Sequence, residues 1–271
     1  RPRRDRHDDM GHEDGVHAAI VMNDRVCSGS ADQRLIVWRG EQPPSGGLSY
    51  AQDNEVNFPA AVTALLFHAA SRWLFCGLAS GQISAFRQEP FTELTLHGHT
   101  AAVRSLCIHE AVLLSGSSDG SVRAWKFDVG SNTFQCVATI PCSLGAVFAV
   151  HVRTEAAGGA AGAVGGGIWL GAERGISCLS QQSLEPVGAL ASAARTVALL
   201  PYQGRVIAVF ANGVVKVYGD AGEEFSHGPL GEHTTNTAAA IMRHPFANKD
   251  LLLCGQELGY VTVYEIPEFR P

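Results

Sequence analysis

His12, Ser28 and Asp32 supply the three side-chain types of a nucleophilic triad, and His99, Ser115 and Asp119 supply them again. A serine hydroxyl activated by an imidazole, itself held by a carboxylate, can attack an acyl carbon. The spacing is identical in both sets, with Ser 16 residues after His and Asp 4 after Ser. Trp38 and Trp125 follow their Asp by 6, and Gly11 or Gly98 precedes each His. An active site is needed once. A triad that recurs at fixed intervals, with a Trp in register and no oxyanion-hole motif beside it, reads as architecture rather than catalysis. No catalytic residue is expected.

Four matched positions at identical gaps define a repeat. In their register weaker copies follow, each an apolar inner strand, a second strand, a small polar turn and a third strand ending in a large residue. The second repeat uses 62–67, 74–76, the turn Ser80-Gly81 and 83–86. The fourth uses 147–152, 168–170, a turn near Arg174-Gly175 with one residue lost, and 176–179. The fifth uses 197–200, 206–210, Asn212-Gly213 and 214–218, and the sixth 238–242, 251–254, Leu258-Gly259 and 261–264. Asn-Gly and Asp-Gly suit hairpin turns because both positions can take positive φ. The closing residues are Trp38, Phe86, Trp125, Leu179, Tyr218 and Tyr264, roughly 45 residues apart.

The stretch GHTAAVRSLCIHEAVLLSGSSDGSVRAWKF resembles a WD40 repeat, with Gly-His early and Trp near the end of a four-stranded blade. The Asp that follows Trp in that signature is replaced by Arg39 and Lys126. The resemblance implies an all-β, WD40-type propeller over residues 11–271, after a mixed basic and acidic tail at 1–10. In WD40 proteins the four residue types form a buried relay that joins the strands of one blade. His12, Ser28, Asp32 and Trp38 are the expected members here, with His99, Ser115, Asp119 and Trp125. The physics agrees, since a sequestered His, Asp or indole N–H costs free energy without partners and a linked set satisfies all of them. Six repeats are visible. Closure by an irregular strand would give six blades, but RPRRDRHDD lacks the alternation of Leu94 and Leu96 in TELTLHGH. This favours part of a seven-blade ring. The first residue, Arg1 rather than Met, also suggests a fragment. Order and wording of the segments ISAF, GHTAAVRSLCIHEAVLLSGSSDGSVRAW and LLLCGQELGYVTVYEIPEF further resemble plant and algal proteins joining CCCH zinc fingers to a WD40 ring. That likeness implies a further blade after Pro271, zinc fingers before Arg1 and an RNA-associated role. No CCCH residue is present to carry over.

Composition excludes other classes. Across 271 residues, 46% are apolar, 17% are charged and 30 are glycine, as many short strands and tight turns require. A net charge of −6 is too mild to make the whole surface an attractor for nucleic acid or membrane. No apolar run is long enough to cross a bilayer. Seven cysteines include no C-x-x-C pair, and Cys27, Cys76 and Cys254 hold one place in three repeats, as buried small residues of a reducing, intracellular compartment. Eleven histidines lack metal-ligand spacing, so neither metal nor cofactor is expected. Residues 40–58 read as a polar link, and 153–167 as a flexible Gly/Ala insert without the Lys-Ser or Lys-Thr of a phosphate loop.

These readings imply a non-catalytic scaffold for protein partners in a nuclear or cytoplasmic assembly, without membrane or small-molecule substrate. An RNA-associated accessory subunit is the alternative, with Arg1, Arg3, Arg4 and Arg6 as phosphate contacts diluted by Asp5, Asp8 and Asp9. Glu13, Asp14, Thr100, Ala101 and Arg195 precede inner strands, in the loops that WD40 rings commonly use for contact. Arg72-Trp73 reads either as an exposed anchor, given the place of Arg and Trp in hot spots, or as a core Trp beneath the second blade.

Overall fold

A computed structural model describes residues 11–41, 49–88, 91–153, 167–219, 222–228, 235–244 and 247–266. The tail at 1–10 and residues 154–166 of the Gly/Ala insert lie outside them. Every described element is a strand. The first sheet contains β1 (Val16–Met22), β2 (Arg25–Ser30), β3 (Arg34–Glu41) and β4 (Ser49–Asn57). The second holds β5 (Val62–His68), β6 (Trp73–Leu78), β7 (Ile83–Gln88) and β8 (Phe91–Leu96), and the third β9 (Val103–His109), β10 (Val112–Ser117), β11 (Ser121–Asp128) and β12 (Thr133–Pro141). Next come β13 (Val147–Arg153), β14 (Gly167–Ala172), β15 (Gly175–Leu179) and β16 (Pro186–Ala191). The fifth sheet has β17 (Thr196–Tyr202), β18 (Arg205–Phe210), β19 (Val215–Gly219) and β20 (Gly222–His227), and the sixth β21 (Asn236–Arg243), β22 (Asp250–Gln256) and β23 (Val261–Ile266). Strands in each sheet lie side by side in chain order, giving five four-stranded meanders and a described three-stranded one.

The expected link at 40–58 is corrected. Residues Ser49–Asn57 are β4, paired along β3 from Arg34↔Asn57 to Glu41↔Ser49. Its sequence, SYAQDNEVN, alternates only weakly because an outer strand buries little on either face. The turn chemistry is also corrected. Gly120 (φ 79°) and Gly213 (φ 83°) take positive φ, whereas Asp119 and Asn212 before them do not, and Gln33 (φ 69°) fills that position in the first sheet. The Asp or Asn acts through its side chain instead, Asp119 Oδ1 accepting the Ser121 N–H at 2.9 Å and Asn212 Oδ1 the Val214 N–H at 3.3 Å.

Each inner strand slips register one residue after its start, between Val16 and Ala18, Val62 and Ala64, Val147 and Ala149, Thr196 and Ala198, and Asn236 and Ala238. The β9–β10 pair does the same across Arg104, with Gly116↔Ser105 followed by Ser117↔Val103. Such bulges bend the strand and sharpen its twist. This register also shows that Cys27 is not equivalent to Cys76 and Cys254. Cys76 pairs Leu65 and Cys254 pairs Ala239, as Ser28 pairs Ala19, whereas Cys27 pairs Ile20 one position away. Cys76 and Cys254 therefore take the place of the relay serine. All three thiols are buried, and burial pushes Cys27 and Cys254 up to about 11 and Cys76 higher still.

The chain forms two compact units, Arg1–Ser117 with Ala124–Val137, and Ser118–Arg123 with Ala138–Pro271. In the first, Cys27, Leu35, Val37, Val62, Leu74 and Cys76 pack between sheets one and two, and Trp73, Phe75, Val103, Leu113 and Trp125 form a second cluster. In the other, Trp169, Ile176, Val206, Phe210 and Tyr218 form one core, and Ile207, Val217, Leu252 and Tyr264 another. In three sheets the approach of the next sheet depends on glycine at one register position, which Val209 fills in the fifth. A Cβ on Gly29 would stand 2.4 Å from Val62, on Gly77 2.7 Å from Val103, and on Gly171 2.7 Å from Thr196.

Candidate functional site

His12 Nδ1 lies 2.9 Å from Asp32 Oδ2, and its Nε2 2.8 Å from Ser28 Oγ. The Trp38 indole N–H donates to the same serine oxygen at 2.7 Å. In the third sheet His99 Nε2 is 2.8 Å from Ser115 Oγ, and Trp125 Nε1–H donates to that oxygen at 2.8 Å. A carboxylate only accepts, so His12 Nδ1 carries the proton that faces Asp32 in the first sheet.

The serine–imidazole distances match those of a nucleophilic pair. Access differs: Ser115 has 0% exposure, and the indole proton occupies its oxygen. Asp32 also accepts the N–H groups of Glu13 and Arg34, both at 3.0 Å, and Arg34 Nε–H at 3.1 Å. Asp119 accepts the Ser121 hydroxyl at 2.6 Å. Burial pushes the Asp32 carboxyl up, but hydrogen bonds from the Glu13 N–H, His12 and the Arg34 N–H outweigh it and hold the group well below the usual carboxylate range. A folded pKa below the unfolded one means stability that is fully present above the unfolded value and lost as pH falls through the folded value. We therefore expect acid destabilisation from about pH 5 downward, with a shallower slope for Asp32→Asn in urea titrations across that range. An unchanged slope would remove Asp32 from this role.

A second repeated hydrogen bond escaped the sequence reading. Ser30 Oγ–H donates to the Asp14 carbonyl at 3.1 Å, and Ser117 Oγ–H to the Ala101 carbonyl at 2.9 Å. The signal was the shared Ser-Gly-Ser at 28–30 and 115–117. Together with Ala31 N–H to the Gly15 carbonyl at 2.9 Å and Ala211 N–H to the Arg195 carbonyl at 3.0 Å, these bonds pin the backbone of loops whose side chains face outward. Glu13, Asp14, Thr100 and Arg195 are exposed and Ala101 is half-buried. The Arg195 guanidinium lies 5.4 Å from the Phe148 ring centroid, a cation–π contact.

Arg72 and Trp73 part company. Arg72 is exposed in the turn before β6 at φ 56°. It edges a cavity of about 590 Å³ between sheets one and two, with Leu35, Val37 and Leu74 on its floor and Asn23, Asp24 and Arg25 at its mouth. Arg25 is ion-paired with Asp53 there. Trp73 as an exposed anchor is corrected: it is 4% exposed, stacked on Phe75 and packed edge-on against Phe134. The strand alternation turns its indole inward, and Arg87 covers the ring at 5.1 Å. Among the described residues, no group of three or more His, Cys, Asp or Glu could hold a metal ion, and no helix is long and apolar enough to cross a membrane.

Residues 92–126, which carry the second quartet, match the family described as WD domain, G-beta repeat. The chain carries a WD40 repeat, and its fold is that of a WD40-type β-propeller. Its four-stranded sheets are the blades, and the quartets lie within them. The chain is 33% identical over 132 residues to WD repeat-containing protein 18 of Rattus norvegicus, covering 43% of this chain and 28% of that protein. It is 23% identical over 133 residues to zinc finger CCCH domain-containing protein 17 of Oryza sativa subsp. japonica, covering 48% and 28%. It is 32% identical over 106 residues to SAGA complex subunit Spt8 of Schizosaccharomyces pombe, covering 37% and 19%. The chain thus spans under a third of the length of these curated relatives. The crystal structure of the computationally designed Ika8 protein shares the fold, with a TM-score of 0.67 at 21% identity over 94% of this chain and 72% of that one.

Proposed function

We propose that this WD40 chain is a non-catalytic platform that binds protein partners inside a larger nuclear or cytoplasmic assembly. The observation that carries the reading is the division of its polar groups. The serine oxygens and imidazoles that could do chemistry are tied to one another. The side chains of Glu13, Asp14, Thr100 and Arg195 instead stand exposed on loops pinned by their backbone. A rigid backbone loses little entropy when a partner docks, so such loops suit recognition. Similarity to a SAGA complex subunit supports membership of an assembly.

The test is the size at which the tagged protein migrates in a native extract. We expect it to co-migrate with a defined complex, and Glu13→Arg combined with Arg195→Glu to release it with its melting temperature unchanged. A lone monomer in extracts would contradict the reading. Similarity to a CCCH zinc-finger protein supports a second one, an RNA-associated subunit. It expects ultraviolet crosslinks to RNA that weaken steeply with salt, and no crosslinks at low salt would sink it.

A further inference from the structure

The cavity between the first and second blades has a filled counterpart one junction on, and strand register identifies what fills it. Arg25 pairs Met22 and Arg39 as Trp73 pairs His68 and Arg87, so Arg25 and Trp73 hold one position. Cys27 and Phe75 share the position two residues on. Asn54, opposite Val37, corresponds to Leu94, opposite Ala85. Between the second and third blades the indole and phenyl rings occupy the space. Trp73 stands 5.7 Å from Phe127 and 5.3 Å from Phe134, centroid to centroid, and Phe75 stands 5.4 Å from Phe134. Between the first and second, a cation, a thiol and an amide take the places of Trp, Phe and Leu. All of these residues belong to the first compact unit.

The consequence is an open volume of about 590 Å³, walled by Val37, Val56, Leu74 and Phe86. That size lies within the roughly 300–1,000 Å³ of small-ligand sites. Arg25 does not fill it, because its guanidinium is paired with Asp53. Arg39 reaches the same carboxylate at 3.7 Å, whereas its counterpart Arg87 lies over the Trp73 ring at 5.1 Å. A ring entering beside Arg25 and Arg39 would meet cations as Trp73 meets Arg87. The mouth sets the rest of the ligand. Asn23, Asp24, Asn54 and Arg72 are exposed there, with charges of both signs and two carboxamides. A carboxamide donates and accepts, as a peptide group does.

We infer that this cavity receives an aromatic side chain, indole above all, from an extended segment of a protein partner. The main chain of that segment stays outside, within reach of the Asn23 and Asn54 carboxamides. This site lies past the end of β1 at Met22, whereas Glu13 and Asp14 precede its start at Val16. It is therefore separate from the loops already assigned to recognition.

The test is a titration of the protein with N-acetyl-tryptophanamide, followed by methyl resonances. We expect saturable binding with ring-current shifts at Val37, Val56 and Leu74, and weaker binding of N-acetyl-leucinamide. Arg25→Trp supplies the indole from within, as Trp73 does one blade on. It should weaken the probe about tenfold or more, with the melting temperature at or above the parent's. Glu13→Arg, at the other end of β1, should leave binding unchanged, so this test and that of the loops fail independently. No shift at the three methyls of the parent protein overturns the inference, and so does undiminished binding by a folded Arg25→Trp variant. Equal affinity for the leucine amide removes the aromatic preference and with it the inference. Tighter binding of free tryptophan than of its capped amide assigns the cavity to a free metabolite instead, and overturns it too.

Discussion

Gly81→Ala is expected to destabilise the protein by about 3 kcal/mol or more, a large share of a domain's stability. Gly81 holds φ at 90°, and a Cβ built on it would lie 2.4 Å from the His99 carbonyl oxygen, 2.9 Å from its carbon and 3.0 Å from the Ala101 carbonyl oxygen. Two costs add. The left-handed region costs an L-residue roughly 1–2 kcal/mol. The contacts are with main chain, so no side-chain rotation relieves them, and the backbone that must move carries the His99 imidazole. Urea unfolding should show a lower midpoint at unchanged slope. A shift worth under about 0.5 kcal/mol, the size of an ordinary surface substitution, would show that this turn does not press on the quartet.

Trp125→Ala is the second large effect, expected at about 3–5 kcal/mol. The indole is 2% exposed and belongs to the core cluster of Trp73, Phe75, Val103 and Leu113. Its ring stands edge-on to His99 with centroids 6.5 Å apart. Most of the loss is packing. Trp125→Phe separates the remainder, because it keeps an aromatic ring and deletes the N–H that Ser115 Oγ accepts. We expect about 1–2 kcal/mol for that change, read from the same urea titrations. Equal losses for the two variants would mean that the hydrogen bond outweighs the packing.

The sequence was most legible where geometry demands particular side chains. The His, Ser, Asp and Trp positions need four chemical types at fixed places in one blade, so their spacing survives as a readable pattern. The closing positions were legible for a related reason, since Phe86, Leu179, Tyr218 and Tyr264 all pair with the residue three before the glycine register position. Outer strands were opaque. β16 is exposed along its whole length and β20 nearly so, so no core selects alternation there, and β4 read as a link for the same reason. The Cys27 misalignment arose because VCSG places one residue between Cys and Gly where FCGL places none. Only strand pairing shows that the slip changes which face the thiol joins. Trp73 was ambiguous because a Trp next to a turn can point either way, and only the strand phase decides. The pinned loops were half legible: Ser-Gly-Ser was in plain view, but its second hydroxyl has meaning only once the loop carbonyl beside it is known.

The central claim is that these polar quartets hold the strands of a blade together. The most direct test is a double-mutant cycle of Ser115→Ala and Trp125→Phe, read by equilibrium unfolding. The two single losses should fail to add, with a coupling of about 1 kcal/mol or more, because either change removes the same N–H to Oγ bond. Additive losses, with the Ser115→Ala protein as stable as the parent, would contradict it.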